Sequence, residues 1–203
     1  MNLITGIPAE SQFKDSDQES MATSKTSAQY DHVMSLCKDI FLKKMKDYGT
    51  AWRILRVSSI TDQIFIKAQR IRSIEEKGTQ RVQDGIDSEF IGIINYCVIA
   101  LIQLEKGNSD NLEMPVDEVI SHFEEQVNEA KRLMEDKNHD YGEAWRGMRT
   151  SSMTDLILMK LMRIKQIEDN KGATLISEGI AANYFDMINY AAFALIKMEE
   201  DKS

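Results

Sequence analysis

An internal duplication constrains the fold of this chain more than any other feature of its sequence. The segment KDYGTAWRILRVSSITDQIFIKAQRIRSIEEKG (46–78) recurs as HDYGEAWRGMRTSSMTDLILMKLMRIKQIEDNKG (139–172). After one added residue near Asn170, the match continues between DGIDSEFIGIINYCVIALIQLE (84–105) and EGIAANYFDMINYAAFALIKME (178–199). A match of this extent with a single gap indicates a tandem duplication. We therefore expect two copies of one folding unit, joined by a polar linker.

Each copy has the pattern of three helices. The first predicted helix, over about 29–46 and 117–138, is amphipathic and ends before an Asp-Tyr-Gly turn. Gly49 and Gly142 in these turns suit the left-handed conformation that closes a helix. The hydrophobic period of 3.6 residues supports the helical assignment.

The second and third helices complete the repeat. Ser59-Ile-Thr-Asp and Ser152-Met-Thr-Asp resemble capping boxes with Asp in place of Glu, so the second helix is predicted to begin at these serines. The third helix, over about 84–106 and 178–201, is apolar on nearly every side and is expected to be the most buried.

The sequence thus predicts an all-α fold, a six-helix bundle of two tandem three-helix repeats with pseudo-twofold symmetry. The predicted units are a disordered N-terminal tail (1–28), a first repeat (29–107), a linker (108–116) and a second repeat (117–203). The change of character after the tail makes Met21 an alternative start to Met1. The duplication also suggests an ancestral homodimer, and a homodimer of this chain is a candidate assembly.

Composition narrows the function. Thirty-three acids against 25 bases give a net charge of −8, which disfavours binding to a nucleic acid backbone. Cys37 and Cys97 lie in apolar patterns without a CxxC motif, as expected for buried thiols of a reduced, cytoplasmic protein. No signal peptide is evident, and the apolar run Phe90–Leu104 is shorter than a membrane span. We expect a soluble protein with no membrane partner.

Polar residues in the third helix of the second copy are the first candidates for a site. Asp186 and Asn189 interrupt an apolar run, and Glu178 falls near the same face. Burying a carboxylate is costly unless it is paired or metal-bound. Glu178, Asp186 and Asn189 are therefore candidate ligands for Mg²⁺, which prefers oxygen donors, and Asp155 at the start of the second helix is a further one. The alternative is that Asp186 pairs with Arg163 or Lys160 and that Asn189 takes part in a polar bridge.

The first copy differs at this point, because Gly92 stands at the position of Asp186 and Glu89 at that of Asn183. Either the two halves divide the labour or only one site functions. The first copy has slightly more bases than acids and the second a clear excess of acids, which favours division.

The second helix and the preceding loop carry the candidate nucleotide-binding groups. Pairs of bases at i, i+3 on the second helix, and an Arg in each loop, are suited to phosphate. These candidates are Lys67, Arg70, Lys160, Arg163, Arg53 and Arg146. The loop aromatics could stack a base or plug the end of the bundle, and they are Tyr48, Trp52, Tyr141 and Trp145. The alternatives are that Asp62 and Asp155 cap the second helices and that the bases pair with acids of the third.

The two DYGxAW loops, the SSxTDxIxxKxxRI helices and the third helices containing INY resemble the nucleotide-modification-associated domain, type 1, in its tandem form. The resemblance covers about residues 29–201 and implies a role linked to nucleotide or base modification. A looser similarity is to the all-α MazG-type nucleoside triphosphate pyrophosphohydrolases, which hold Mg²⁺ on helix carboxylates. This chain departs from their pattern, since it lacks EExxE and has Asn183-x-x-Asp186 where ExxD would stand.

The sequence therefore favours a nucleotide-binding protein of nucleotide or modified-base metabolism. If it is an enzyme, the expected reaction is Mg²⁺-dependent hydrolysis of a nucleotide phosphoanhydride. The alternative is a non-catalytic helical module that senses a nucleotide or binds another protein.

Overall fold

The computed structural model of the chain describes residues 10–170 and 179–202, with side chains from Lys25 onward. Within these ranges the chain forms six α-helices and no strand, which confirms the predicted all-α class. The helices are α1 (Glu10–Tyr48), α2 (Val57–Lys77), α3 (Ile86–Lys106), α4 (Val116–Tyr141), α5 (Thr150–Asp169) and α6 (Ile180–Glu200). A 3₁₀ turn lies ahead of α2 (Ala51–Ile54) and another ahead of α5 (Ala144–Gly147).

The six helices form three layers, and each layer pairs an element with its counterpart from the other copy. The central α3 and α6 contact each other and both outer layers. The pair α2 and α5 covers one side of this centre, and α1 and α4 cover the other. The two central helices are the most apolar because they are surrounded by the other four.

Reciprocal side-chain contacts between α2 and α5 show the pseudo-twofold relation directly. Thr61 donates a hydrogen bond to Glu168 at 3.1 Å, and its counterpart Thr154 donates to Glu75 at 3.1 Å. Asp62 likewise pairs with Lys165. The repeats therefore associate as the subunits of a symmetric dimer would.

Helix α1 begins well before residue 29, where the apolar pattern first appears. It starts at Glu10, and the predicted boundary at residue 28 falls inside it. Thr26 is fully buried, and Ser27 donates a hydrogen bond to Glu135 of α4 at 3.0 Å. Apolar periodicity missed this extension because a helix that is largely polar carries no such stripe.

The second helices begin two residues before the predicted serines, so the capping-box prediction is wrong. The N-cap residues are Arg56 and Arg149, and neither cap is closed by a side-chain hydrogen bond. The backbone N–H of Ser59 already donates to the carbonyl of Arg56 at 3.0 Å, which places this serine within the first turn. Asp62 and Asp155 are therefore free to pair across the repeat interface instead of capping.

Helix α3 is, by length and composition, long and apolar enough to cross a membrane, contrary to the estimate from its apolar run. In the structure most of it is buried among the other helices. Its Cys97 is a buried free thiol, as is Cys37 of α1. Burial raises the pKa of the Cys37 thiol to about 12, so this group stays protonated at neutral pH.

The turns after α1 and α4 have the predicted left-handed glycines, with φ of 61° at Gly49 and 59° at Gly142. Replacing Gly142 with Ala should destabilise the protein by about 1 kcal/mol, because the added Cβ meets no other atom but disfavours this φ. Chemical denaturation measures the change. Gly147→Ala is the matched control, since it also meets no atom and lies outside the left-handed region; an equal loss in both variants would contradict the argument.

Candidate functional site

The carboxylate of Asp186 forms an ion-paired cluster in the second copy. Its Oδ2 lies 2.5 Å from Nζ of Lys160 on α5, and its Oδ1 lies 2.5 Å from Nζ of Lys137 on α4. Asp186 and Lys160 are both buried, at 7% and 8% exposure, while Lys137 reaches in from the surface. One carboxylate thus bridges two ammonium groups from two different helices.

The two lysines control the ionisation of Asp186. Burial by itself favours the neutral acid, but the hydrogen bonds from Lys137 and Lys160 outweigh it and hold the pKa below the ordinary value for Asp. The carboxylate is therefore charged at neutral pH and already neutralised by its neighbours. A divalent cation placed beside it would be repelled by both ammonium groups.

The other two candidate carboxylate ligands do not join Asp186 in the described part of the chain. Asp155 is exposed and faces Arg72 of the first copy, with Oδ1 and Nη1 3.7 Å apart. Glu178 lies outside the described residues. A different cluster of Glu105, His122 and Glu125 brings three side-chain ligand atoms within 4.8 Å of one another. Surface acids often gather around a histidine without a metal, and we assign none to it.

In the first copy the corresponding bases bind a different carboxylate. Glu89 accepts hydrogen bonds from Lys67, at 3.0 Å, and from Arg70, both on α2. Gly92, one turn further along α3, stands at the position of Asp186, and the stem of Lys67 lies over it. The Cε of that lysine is 2.7 Å from where a Cβ would be. The absence of a side chain at Gly92 thus makes room for Lys67.

One base of the first copy lacks the ion-pair partner that its counterpart in the second copy has, because Gly92 stands at the position of Asp186. Lys44 of α1 corresponds to Lys137 in the repeat. Whereas Lys137 binds Asp186, Lys44 forms no ion pair with any residue in the described part of the chain. An ammonium group is therefore available on this side of the bundle.

A cavity of about 650 Å³ opens at this place in the first copy. It lies between α1, α3 and the 3₁₀ turn that begins at Ala51. Charged and polar groups in its wall are Lys44, Lys67, Asp84, Ser88, Glu89 and Asn95. Aromatic groups in its wall are Phe41, Tyr48, Trp52 and Tyr96. A volume of this size, with an apolar wall and a few polar groups, suits a small organic ligand.

The two loop tryptophans differ in what covers them. Trp145 is buried and stacks on Phe193, with ring centroids 4.2 Å apart and an angle of 4° between the planes. In the first copy the counterpart of Phe193 is Ile99, which lines the cavity together with Trp52. The neighbouring Tyr48 and Tyr141 are both largely exposed, and only Tyr48 lines this cavity.

The two loop arginines are engaged within the protein. Arg53 is buried and donates to Gln103, whose amide in turn donates to the Arg53 carbonyl at 3.0 Å. Arg146 pairs with Glu143 and Glu200. The guanidinium of Arg53 does not line the cavity. Of the six predicted phosphate-binding residues, Lys67 alone lines it, and Arg163 is exposed on α5.

Asn95 of α3 has a buried acceptor without a partner. Its Nδ2 donates to the carbonyl of Cys37 at 3.0 Å, and the counterpart Asn189 makes the same bond to Ala130. The Oδ1 of Asn189 accepts from the Tyr30 hydroxyl of α1 at 2.8 Å. The counterpart of Tyr30 is Phe123 of α4, which has no hydroxyl, and the buried Oδ1 of Asn95 has no partner among the described residues.

Sequence reasoning missed Lys44, Lys137 and the unpartnered Oδ1 of Asn95. The two lysines lie at matching positions of the duplication, and the pairing of Tyr30 with Phe123 was visible in the same alignment. The signal was therefore present, but only a structure shows that α1 and α4 bring these side chains to α3 and α6.

The fold and this cavity define a class: a tandem all-α repeat bundle with a cavity in its first repeat and, among the described residues, an ion-paired carboxylate in its second. The family described as nucleotide modification associated domain 1 matches residues 44–104 and 137–198, one segment in each repeat. The chain belongs to this family. No curated protein and no solved structure matches the chain. The looser similarity to MazG-type pyrophosphohydrolases finds no support in these matches.

Removing the carboxylate of Asp186 should destabilise the protein. In Asp186→Asn the buried ammonium of Lys160 loses its counter-charge, and we expect a loss of about 3 kcal/mol at pH 7 in chemical denaturation. Since the folded pKa of Asp186 lies below its unfolded value, its contribution is present above the ordinary Asp pKa of about 4 and disappears as the pH falls further.

The difference between wild type and Asp186→Asn should therefore shrink on acidification. The matched control is Asp110→Asn at an exposed position of the linker, which should change stability by less than about 0.5 kcal/mol. An Asp186→Asn variant as stable as wild type at pH 7 would show that the ion-paired cluster has no structural role.

Proposed function

We propose that the chain binds a nucleotide in the cavity of its first repeat. The observation that carries this proposal is the unpaired Lys44 beside Lys67 in a cavity that also exposes Trp52. Membership of the family supports it, because the family is associated with nucleotide modification. Among the described residues, the cavity offers space and an unpaired base, whereas the Asp186 carboxylate is bound by two lysines.

The charged groups of the cavity favour an anionic ligand. Lys67 is paired with Glu89, but that carboxylate also binds Arg70, so two bases share one acid. Lys44 is exposed at the cavity and adds a third base, which has no ion pair with a described residue. Asp84 is a second acid in the wall, so three bases stand against two acids. A phosphate is attracted to this surplus of one positive charge.

The aromatic groups of the cavity favour a planar ring. Stacking of a base on an aromatic side chain contributes about 1–3 kcal/mol and tolerates any base. Trp52 has the exposed wall position that its counterpart Trp145 lacks. Tyr48 and Tyr96 offer further ring surface at the same cavity.

Mg²⁺-dependent hydrolysis of the bound nucleotide is the second part of this proposal. Asp186 does not fit a metal, because two lysines already neutralise it. Asp84 holds the position of Glu178 in the first copy, lines the cavity and forms no ion pair with a described residue. Any Mg²⁺ dependence of nucleotide binding is therefore assigned to Asp84.

Nucleotide binding is tested by isothermal titration calorimetry with a panel of canonical and modified nucleotides. We expect Lys44→Ala to weaken the binding of the best ligand about tenfold or more, as for the loss of a charge-assisted hydrogen bond. Lys43→Ala is the matched control, because this neighbouring lysine pairs with Asp39 on the surface and does not line the cavity. Absence of binding by every nucleotide would refute the proposal.

Tryptophan fluorescence locates the ligand independently. Binding should quench emission in wild type and in Trp145→Phe, whereas Trp52→Phe should abolish the change. Quenching that depends on Trp145 would place the ligand in the other repeat. Release of pyrophosphate or phosphate, measured on the same panel with Mg²⁺ and after Asp84→Asn, separates an enzyme from a binding module. Binding without turnover would support the non-catalytic alternative.

A further inference from the structure

We infer that the ligand of the first repeat carries a single phosphate group, as a nucleoside monophosphate does, and that this phosphate lies over Gly92 between Lys44 and Lys67. This inference rests on the proposed nucleotide site and goes further by naming the ligand class and its orientation. The second repeat supplies the argument, because its own side chains occupy the positions that the ligand takes in the first.

The anion position comes from the cluster around Asp186. Its carboxylate lies 2.5 Å from each of the two ammonium groups of Lys137 and Lys160. Lys44 and Lys67 are the counterparts of these lysines, and both line the cavity. With Gly92 in place of Asp186, the first repeat has the two bases of this cluster and lacks the acid between them. An anion brought by a ligand completes the same arrangement.

Lys67 can reach such an anion without leaving the site. Its side chain already lies against Gly92, with Nζ 3.0 Å from where a Cβ would be, while it binds Glu89 one turn away. A small movement of this flexible side chain brings the ammonium from the carboxylate to the ligand, and Arg70 remains bonded to Glu89. The acid therefore stays neutralised when the ligand enters.

The ring position comes from Trp145 and Phe193. The two rings stack with parallel planes in the second repeat. In the first repeat Trp52 faces a cavity in which Ile99 stands at the position of Phe193. Ile99 is smaller and not planar, so a ring supplied by the ligand takes the place of that phenyl group against the indole.

The spacing of these positions along α3 matches one ligand in one orientation. Gly92, Asn95 and Ile99 are three and four residues apart and lie on one face of the helix. Two turns of helix span about 10.5 Å from the anion position to the ring position. This length allows the phosphate and the base of one nucleoside monophosphate, with its sugar between them, to occupy the two positions together.

The charges of the wall limit the number of phosphates. Lys44 and Lys67 line the cavity, and the second repeat balances their two counterparts with one carboxylate. Asp84 and Glu89 also line the cavity, so in the absence of a divalent cation further phosphates would meet carboxylates instead of additional bases. The site is therefore suited to a monophosphate better than to a triphosphate.

Gly92→Asp tests the anion position. We expect the new carboxylate to occupy the place between Lys44 and Lys67, to weaken the binding of a nucleoside monophosphate at least tenfold in calorimetry, and to leave the melting temperature equal or higher. Stability is expected to hold because glycine disfavours the interior of a helix and because the carboxylate gains two partners. A merely misfolded variant would lose both binding and melting temperature.

Gly92→Asn is the matched control, since it has nearly the same size without the charge. A smaller loss of affinity in Gly92→Asn than in Gly92→Asp supports the anion position. Equal losses of affinity in the two folded variants would show that the added volume, and not the charge, weakens binding. This result would overturn the anion position.

The comparison of mono-, di- and triphosphates of one nucleoside tests the ligand class. Affinity that is highest for the monophosphate supports the inference, and affinity that rises with each phosphate overturns it while leaving the nucleotide site intact. If no nucleotide binds wild type at all, the proposed function itself fails. The two failures are therefore distinguishable.

Discussion

A lysine brought into a helical bundle needs an anion beside it, and the two repeats of this protein meet that need in different ways. The second repeat supplies the anion from its own central helix, as Asp186 between Lys160 and Lys137. The first repeat supplies Glu89 to Lys67, while the exposed Lys44 has no ion pair with a described residue. The position of the carboxylate on the central helix thus distinguishes the two halves.

Duplication explains how such a difference arises. Both repeats have the same order of helices, and the contacts between α2 and α5 occur as reciprocal pairs, so each repeat stabilises the interface in the same way. A few substitutions at matched positions then change one centre without endangering the other. Gly92 at the position of Asp186 and Ile99 at that of Phe193 each lack a side-chain contact that the second repeat has. Both residues line the cavity of the first repeat, together with Lys44.

The cavity connects this asymmetry to the family. The chain belongs to the nucleotide modification associated domain 1 family, whose name concerns nucleotides but specifies no reaction. The proposed site of the first repeat has bases and an aromatic ring in its wall, and the second repeat has a carboxylate and a phenyl ring in the equivalent places. The structure therefore directs experiments on nucleotides to the first repeat, while the second serves as an internal reference.

The sequence by itself determined the duplication, the helical class, the glycine turns and the burial of the third helices, because these follow from local periodicity and from the repeat. It also singled out Asp186, Lys160, Lys67 and the two tryptophans. Only the tertiary structure decided which of these residues meet. Asp186 pairs with Lys137, a residue of α4 that no local sequence pattern connects with it. The cavity likewise depends on how α1 packs against α3. Packing between segments that are distant in the chain cannot be inferred from the local sequence pattern of either segment.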